Sequence, residues 1–160
     1  MQINSVNTVN ASPTNAPAPG DGPAIQTSRF WPDVEPGHFR AAMRYDGTVT
    51  AVRLRHALVE AVAAVNGELF GWRVASGAQR LADIEAEQID GESILVQRWR
   101  RAIYATAAAD LAERYRSFDA TGAGRQRADD LGDTADQLRA DARAAIRAIL
   151  GAGRVTVELI

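Results

Sequence analysis

Three stretches of this chain carry apolar residues every three or four positions for about five turns or more, a pattern that only helices satisfy. The first runs through Leu54, Leu58, Val62, Val65, Leu69 and Trp72, spaced 4-4-3-4-3. The second runs through Val96, Trp99, Ile103, Ala107, Leu111, Tyr115 and Phe118. The third runs through Ala128, Leu131, Ala135, Leu138, Ala142, Ala145 and Ile149. Thr50 suits an N-cap for a helix reaching about Val74. Asp90 or Gly91 opens the second, over about Glu92 to Ser117. The third spans about Arg125 to Leu150, after a break at Asp119 to Gly124. A short helix is expected before them, from Glu35 to Arg44, with Pro36 in its first turn and Phe39 and Met43 at i, i+4. Asp46-Gly47 reads as the turn that ends it. The expected fold is all-α, a bundle of three long helices and one short one.

Both ends depart from that pattern. Residues 1–28 are rich in Asn, Thr, Ser, Pro, Ala and Gly, and too poor in large apolar groups to offset their ordering entropy. They are expected to be a disordered arm, with Phe30 and Trp31 anchoring it to a bundle over 29–151. At the other end, residues 152–160 form an extension. From Arg154 to Ile160, Val155, Val157 and Leu159 alternate with Thr156 and Glu158, the period of a strand. In a helical chain such a strand has few partners, and its unpaired backbone groups seek another sheet. A frayed tail or a local pairing is the plain alternative. A strand donated to another protein is the sharper one, and it points to assembly before catalysis.

Composition narrows the function. Ala supplies 31 of the 74 apolar residues, so helices can approach closely while each Ala buries little surface. All 18 basic residues are Arg, set against 20 acidic ones, a balance that calls for neither nucleic acid nor membrane. Cysteine is absent, which removes disulfides and thiolate ligands. No apolar run approaches the ~18 residues of a membrane span, and no signal segment is evident. A soluble, intracellular protein is expected. His38 and His56 sit on different helices without a carboxylate cluster, so no metal site is expected. No phosphate-cradling glycine loop or nucleophile elbow occurs, and neither an enzyme nor a cofactor is expected.

Charge is nevertheless patterned. The connection before the second long helix carries Asp83, Glu85 and Glu87, while Arg98, Arg100 and Arg101 cluster just beyond it. Opposite signs suggest a contact between subunits. Solvated faces are the plain alternative, since exposed pairs contribute only about 0–1 kcal/mol each. The short helix, the turn and the helix bearing Arg53, Arg55 and His56 also outline a helix-turn-helix. Against that, the second helix is too long and the chain is not basic.

Several segments together resemble a known family. They are Phe30-Trp31-Pro32-Asp33, the stretch from Met43 to Thr50, Arg53 to Leu58, Asp90-Gly91-Glu92-Ser93, Arg100 to Tyr104, Glu113 to Asp119, and the ending Val155 to Ile160. In order and spacing they resemble the head completion (GPL) family of contractile-tailed temperate phages, from about residue 30 to the C-terminus. The resemblance implies a virion protein of the head–tail neck, assembled in the host cytoplasm. It implies a homo-oligomeric ring, a dodecamer, on the portal protein of the filled head, where it stabilises packaged DNA. The ring would offer a surface to the neck proteins on the tail-terminator side, lie near the packaged DNA without reading it, and touch no membrane. The family brings no catalytic residues. On this reading Arg154 to Ile160 dock on the portal. The alternative is a DNA-binding module that contacts the packaged genome end.

Overall fold

The computed structural model describes residues 20–45, 49–116 and 122–152. The first helix, α1 (Pro36–Met43), starts at a proline and ends where Arg44 turns left-handed at φ 57. Thr50 caps the next, α2 (Ala51–Glu68), its hydroxyl accepting from the Arg53 amide at 3.4 Å. The long helix expected to reach Val74 is divided: α2 stops at Glu68, and α3 (Phe70–Ser76) follows a single irregular residue, Leu69. Leu69 is wholly buried, as its place in the apolar stripe requires, and the weak helix formers Gly67 and Gly71 on either side of it favour the break there.

A second correction lies before the next helix. Asp90 and Gly91 do not open it. Both have positive φ, 55 and 75, and form the tight turn of a hairpin between β1 (Gln88–Ile89) and β2 (Glu92–Ser93), in register Gln88 with Ser93. Asp-Gly favours the primed turn that matches strand twist. The helix α4 (Ile94–Arg116) begins only after it, with the Ser93 hydroxyl accepting from the Leu95 amide at 3.3 Å. The last helix, α5 (Gly122–Ala152), is longer at both ends than its apolar stripe.

The helices form an open layer with α4 at its centre. It packs on α2 and on α5, which barely meet each other. Alanines 102, 105, 107, 108, 109 and 112 are all buried, and these small side chains let two helices approach α4 closely. The Trp99 indole N–H donates to Asn66 Oδ1 at 2.8 Å, and Tyr45 donates to the Ala108 carbonyl at 3.3 Å. On the α5 side, Arg98 donates to the Ala148 carbonyl at 3.3 Å, while Arg139 pairs with Glu113. Both neighbours therefore run antiparallel to α4 and parallel to each other.

Residues 20–28, expected to belong to the arm, are packed. Ile25 and Val34 exchange backbone hydrogen bonds at 2.8 and 3.0 Å, and Ile25 is buried. Asp21 accepts from Arg40 Nε at 2.7 Å, with both side chains largely buried, and Arg40 also donates to the Val49 carbonyl. One apolar contact and one charge pair thus hold a segment whose composition reads as loose. Removing residues 1–25 is expected to lower the urea midpoint of unfolding, and removing residues 1–19 to leave it unchanged; equal midpoints would contradict this. The expected terminal strand, Arg154 to Ile160, lies outside the described residues, as do the Asp46-Gly47 turn and Phe118.

Candidate functional site

Phe30 and Trp31 sit in the core. Both are buried; their rings meet edge to face at 4.6 Å, and Trp31 stacks on Trp99 at 5.6 Å with 7° between planes. The Phe30 carbonyl accepts from the Leu81 amide at 2.9 Å, and the Arg73 guanidinium lies 5.0 Å over its ring. The two aromatics therefore tie the N-terminal segment to α4, α3 and the loop after it.

The charged clusters are placed less simply. Asp83, Glu85 and Glu87 are exposed on the loop that leads into the hairpin. Arg100 is not turned toward them. The hairpin brings Glu92 against α4, where its carboxylate accepts two hydrogen bonds from Arg100, at 2.8 and 2.6 Å. Arg98 is half-buried with its α5 carbonyl partner. Arg101 is 68% exposed and only loosely paired with Asp141, at 3.8 Å. Two of the three arginines thus serve their own chain, Arg100 through the acid that the hairpin supplies and Arg98 through an α5 carbonyl.

These groups line a cleft of about 510 Å³ between α1, the hairpin, α4 and α5, whose walls include His38, Glu92, Arg100, Arg101, Tyr104 and Asp141. His38 Nδ1 lies 2.8 Å from the Tyr104 hydroxyl. Acids and bases pair across the walls, so the cleft presents little net charge. The hydrogen bonds from Arg100 hold the Glu92 carboxyl below its ordinary value, against the opposing effect of partial burial. Its stabilisation is therefore complete above the unfolded glutamate value, about 4.3, and is lost as pH falls through the lower folded one. Burial pushes Tyr104 up to about 12. The unfolded tyrosine ionises first, near pH 10, so stability should also decline above that pH. Denaturation across pH is expected to show both slopes, with Glu92→Gln flattening only the acid one.

Among the described residues, no three His, Asp or Glu side chains converge on a possible metal position, and no helix is long and apolar enough to cross a membrane. His56 is exposed on α2. Sequence reasoning overlooked a set of large apolar side chains left on the outside: Val52, Val59, Phe70 and Val74. Their 7-11-4 spacing was readable, but the stronger core stripe on the same helix obscured it.

Comparison with known proteins places the chain. The family model described as phage head completion protein (GPL) matches residues 25–160, a span that begins at the first buried apolar residue of the N-terminal segment. The head completion/stabilization protein of Escherichia phage P2 is 43% identical over 144 residues, covering 88% of this chain and 85% of its own length. No solved structure matches. The match takes in every helix and both strands of the described body, and the chain belongs to the phage head completion (GPL) family of structural proteins of the phage head.

Proposed function

We propose that this chain completes DNA-filled phage heads as a ring-shaped adaptor on the portal, a dozen copies that stabilise the packaged DNA and present the surface to which the tail joins. The observation that carries this reading is the 43% identity, across 88% of the chain, to a protein named for head completion and stabilisation. The fold supports it. A closed ring needs two different faces on each subunit, and the open layer of α2, α4 and α5 leaves an outer face at each edge. The acidic loop carrying Asp83, Glu85 and Glu87 offers a further contact to a neighbour, with Arg101 the most exposed of the arginines able to meet it. Residues 154–160 add as a strand to a sheet of the portal or of an adjoining connector subunit. The neck is the chain's place in the virion, with proteins of the tail-terminator side on its far face.

The reading as a DNA-binding module draws no comparable support. Arg55, which it requires, donates to the Pro23 carbonyl at 2.8 Å, and the chain carries a formal net charge of −2. Filled heads lacking the protein provide the test. Added purified chain is expected to make their DNA resistant to nuclease and to let tails join. Heads left unchanged, together with duplex affinity that falls about a thousandfold or more between low and moderate salt, would instead mark a phosphate-binding module.

A further inference from the structure

The two outer faces of the helical layer match each other. On α2, Leu54, Leu58, Ala61 and Val65 point into the core. At about 100° per residue, Val52, Val59 and Ala63 share one narrow sector on roughly the opposite side. Val52 is 69% exposed and Val59 43%. Past the break at Leu69, Phe70 at 61% and Val74 at 64% are also exposed, on α3. Aligned on one side of α2, Val52, Val59 and Ala63 offer a surface that a partner can cover.

The outer side of α5 is built differently. Ala135, Ala142, Ala145 and Ile149 face the core, while Ala144 and Gly151 are exposed opposite them and offer little relief. Arg143 and Arg147 flank this flat strip, exposed and without an ion pair among the described residues. Glu60, about 80° around α2 from the ridge, is likewise exposed and unpaired there.

The heights of these groups agree. Asn66 and Ala148 bond to adjacent residues of α4, Trp99 and Arg98, which puts them within about one helical turn of the same level. Because α2 and α5 run in the same direction, equal steps back from each keep that level. Glu60 then stands level with Ala142, next to Arg143, and Ala63 with Ala145, next to Ala144.

We propose that the α2 ridge of one copy packs on the outer side of α5 of the next, with Glu60 meeting Arg143. This names the contact that repeats around the ring, and it rests on the ring reading above. Closure by rotation involves no rise along the axis, so helices standing along that axis meet at the heights they hold within one subunit. Packing the ridge on itself leaves Arg143 unmatched and stops at a dimer.

The chain has no cysteine, so an introduced pair reports cleanly. The variant Ala63→Cys with Ala144→Cys, assembled on filled heads and oxidised, is expected to give a ladder of bands at multiples of 17.2 kDa on a non-reducing gel. Each single variant should stay monomeric, and a mixture of the two should stop at dimers. Completed heads without a ladder, or dimers from Ala63→Cys alone, overturn the contact while leaving head completion in place. Wild-type chain that fails to complete heads removes the ring reading instead, which is a separate result. Charge reversal gives an independent measure. Glu60→Arg should lower completion about tenfold or more, and adding Arg143→Glu should restore it; losses that simply add overturn the pairing.

Discussion

Trp99→Ala is expected to lower the stability of the isolated chain by about 3–5 kcal/mol, the range for truncating a large buried aromatic. That is a large share of the roughly 5–15 kcal/mol that holds an ordinary domain together. Trp99 has no exposed surface, and three elements depend on it. Its ring carries the stacked Trp31, which brings the N-terminal segment with it. Its indole N–H satisfies Asn66 at 2.8 Å and so joins α4 to α2. Alanine removes the stack, opens a cavity at the centre of the layer, and leaves the Asn66 amide oxygen without that donor. Trp99→Phe keeps a ring but loses the donor, and should cost less, about 1–3 kcal/mol. Urea unfolding followed by circular dichroism measures both. Trp31→Ala should combine with Trp99→Ala to less than the sum, because the residues share a contact. A loss below about 1 kcal/mol for Trp99→Ala would mean that the layer is held elsewhere.

Val157→Pro is expected to leave the isolated chain folded and to abolish head completion. If residues 154–160 pair with a partner's sheet, each inward-facing backbone N–H belongs to the ladder. Proline has no N–H and is confined to strand edges and bulges. Repetition around the ring amplifies the loss, since each docked strand raises the effective concentration of the next. Thr156 and Glu158 lie on the other face of the alternation, so Glu158→Gln should have little effect. Val157→Thr keeps the β-branched shape and backbone donor, and should fall between. Nuclease resistance of complemented heads provides the readout, with circular dichroism as the control for folding. A proline variant that completes heads normally, or one that unfolds the isolated chain, rules out a donated strand.

The helical framework was legible because its signal is periodic and local. Thr50, the stripe from Leu54 to Leu69, and Val96, Trp99, Ile103, Ala107 and Leu111 all lie where their spacing puts them. What sequence could not supply came from contacts distant along the chain. Asp21 reads as one more polar residue of a loose arm until α1 presents Arg40 beside it. Leu69 fits the helical stripe and is buried as the stripe requires, yet the helix breaks at it, between Gly67 and Gly71. Asp90-Gly91 is a turn signal that a helix start and a hairpin share, and two-residue strands are too short to show alternation. The same hairpin explains Arg100: its partner was foreseeable as an acid but not as Glu92, because the fold decides which acid comes within reach. Val52, Val59, Phe70 and Val74 were hidden by a bias toward one stripe per helix, which holds only when a helix has one buried side.

A reconstruction of the portal vertex of heads completed with this chain, at a resolution that traces the backbone, decides whether the chain sits there as a ring. The expected result is a closed ring of copies seated on the portal, with residues 154–160 of each paired as an added strand in a portal or connector sheet. A vertex without the chain, or the chain spread over the shell or along the DNA, would contradict it.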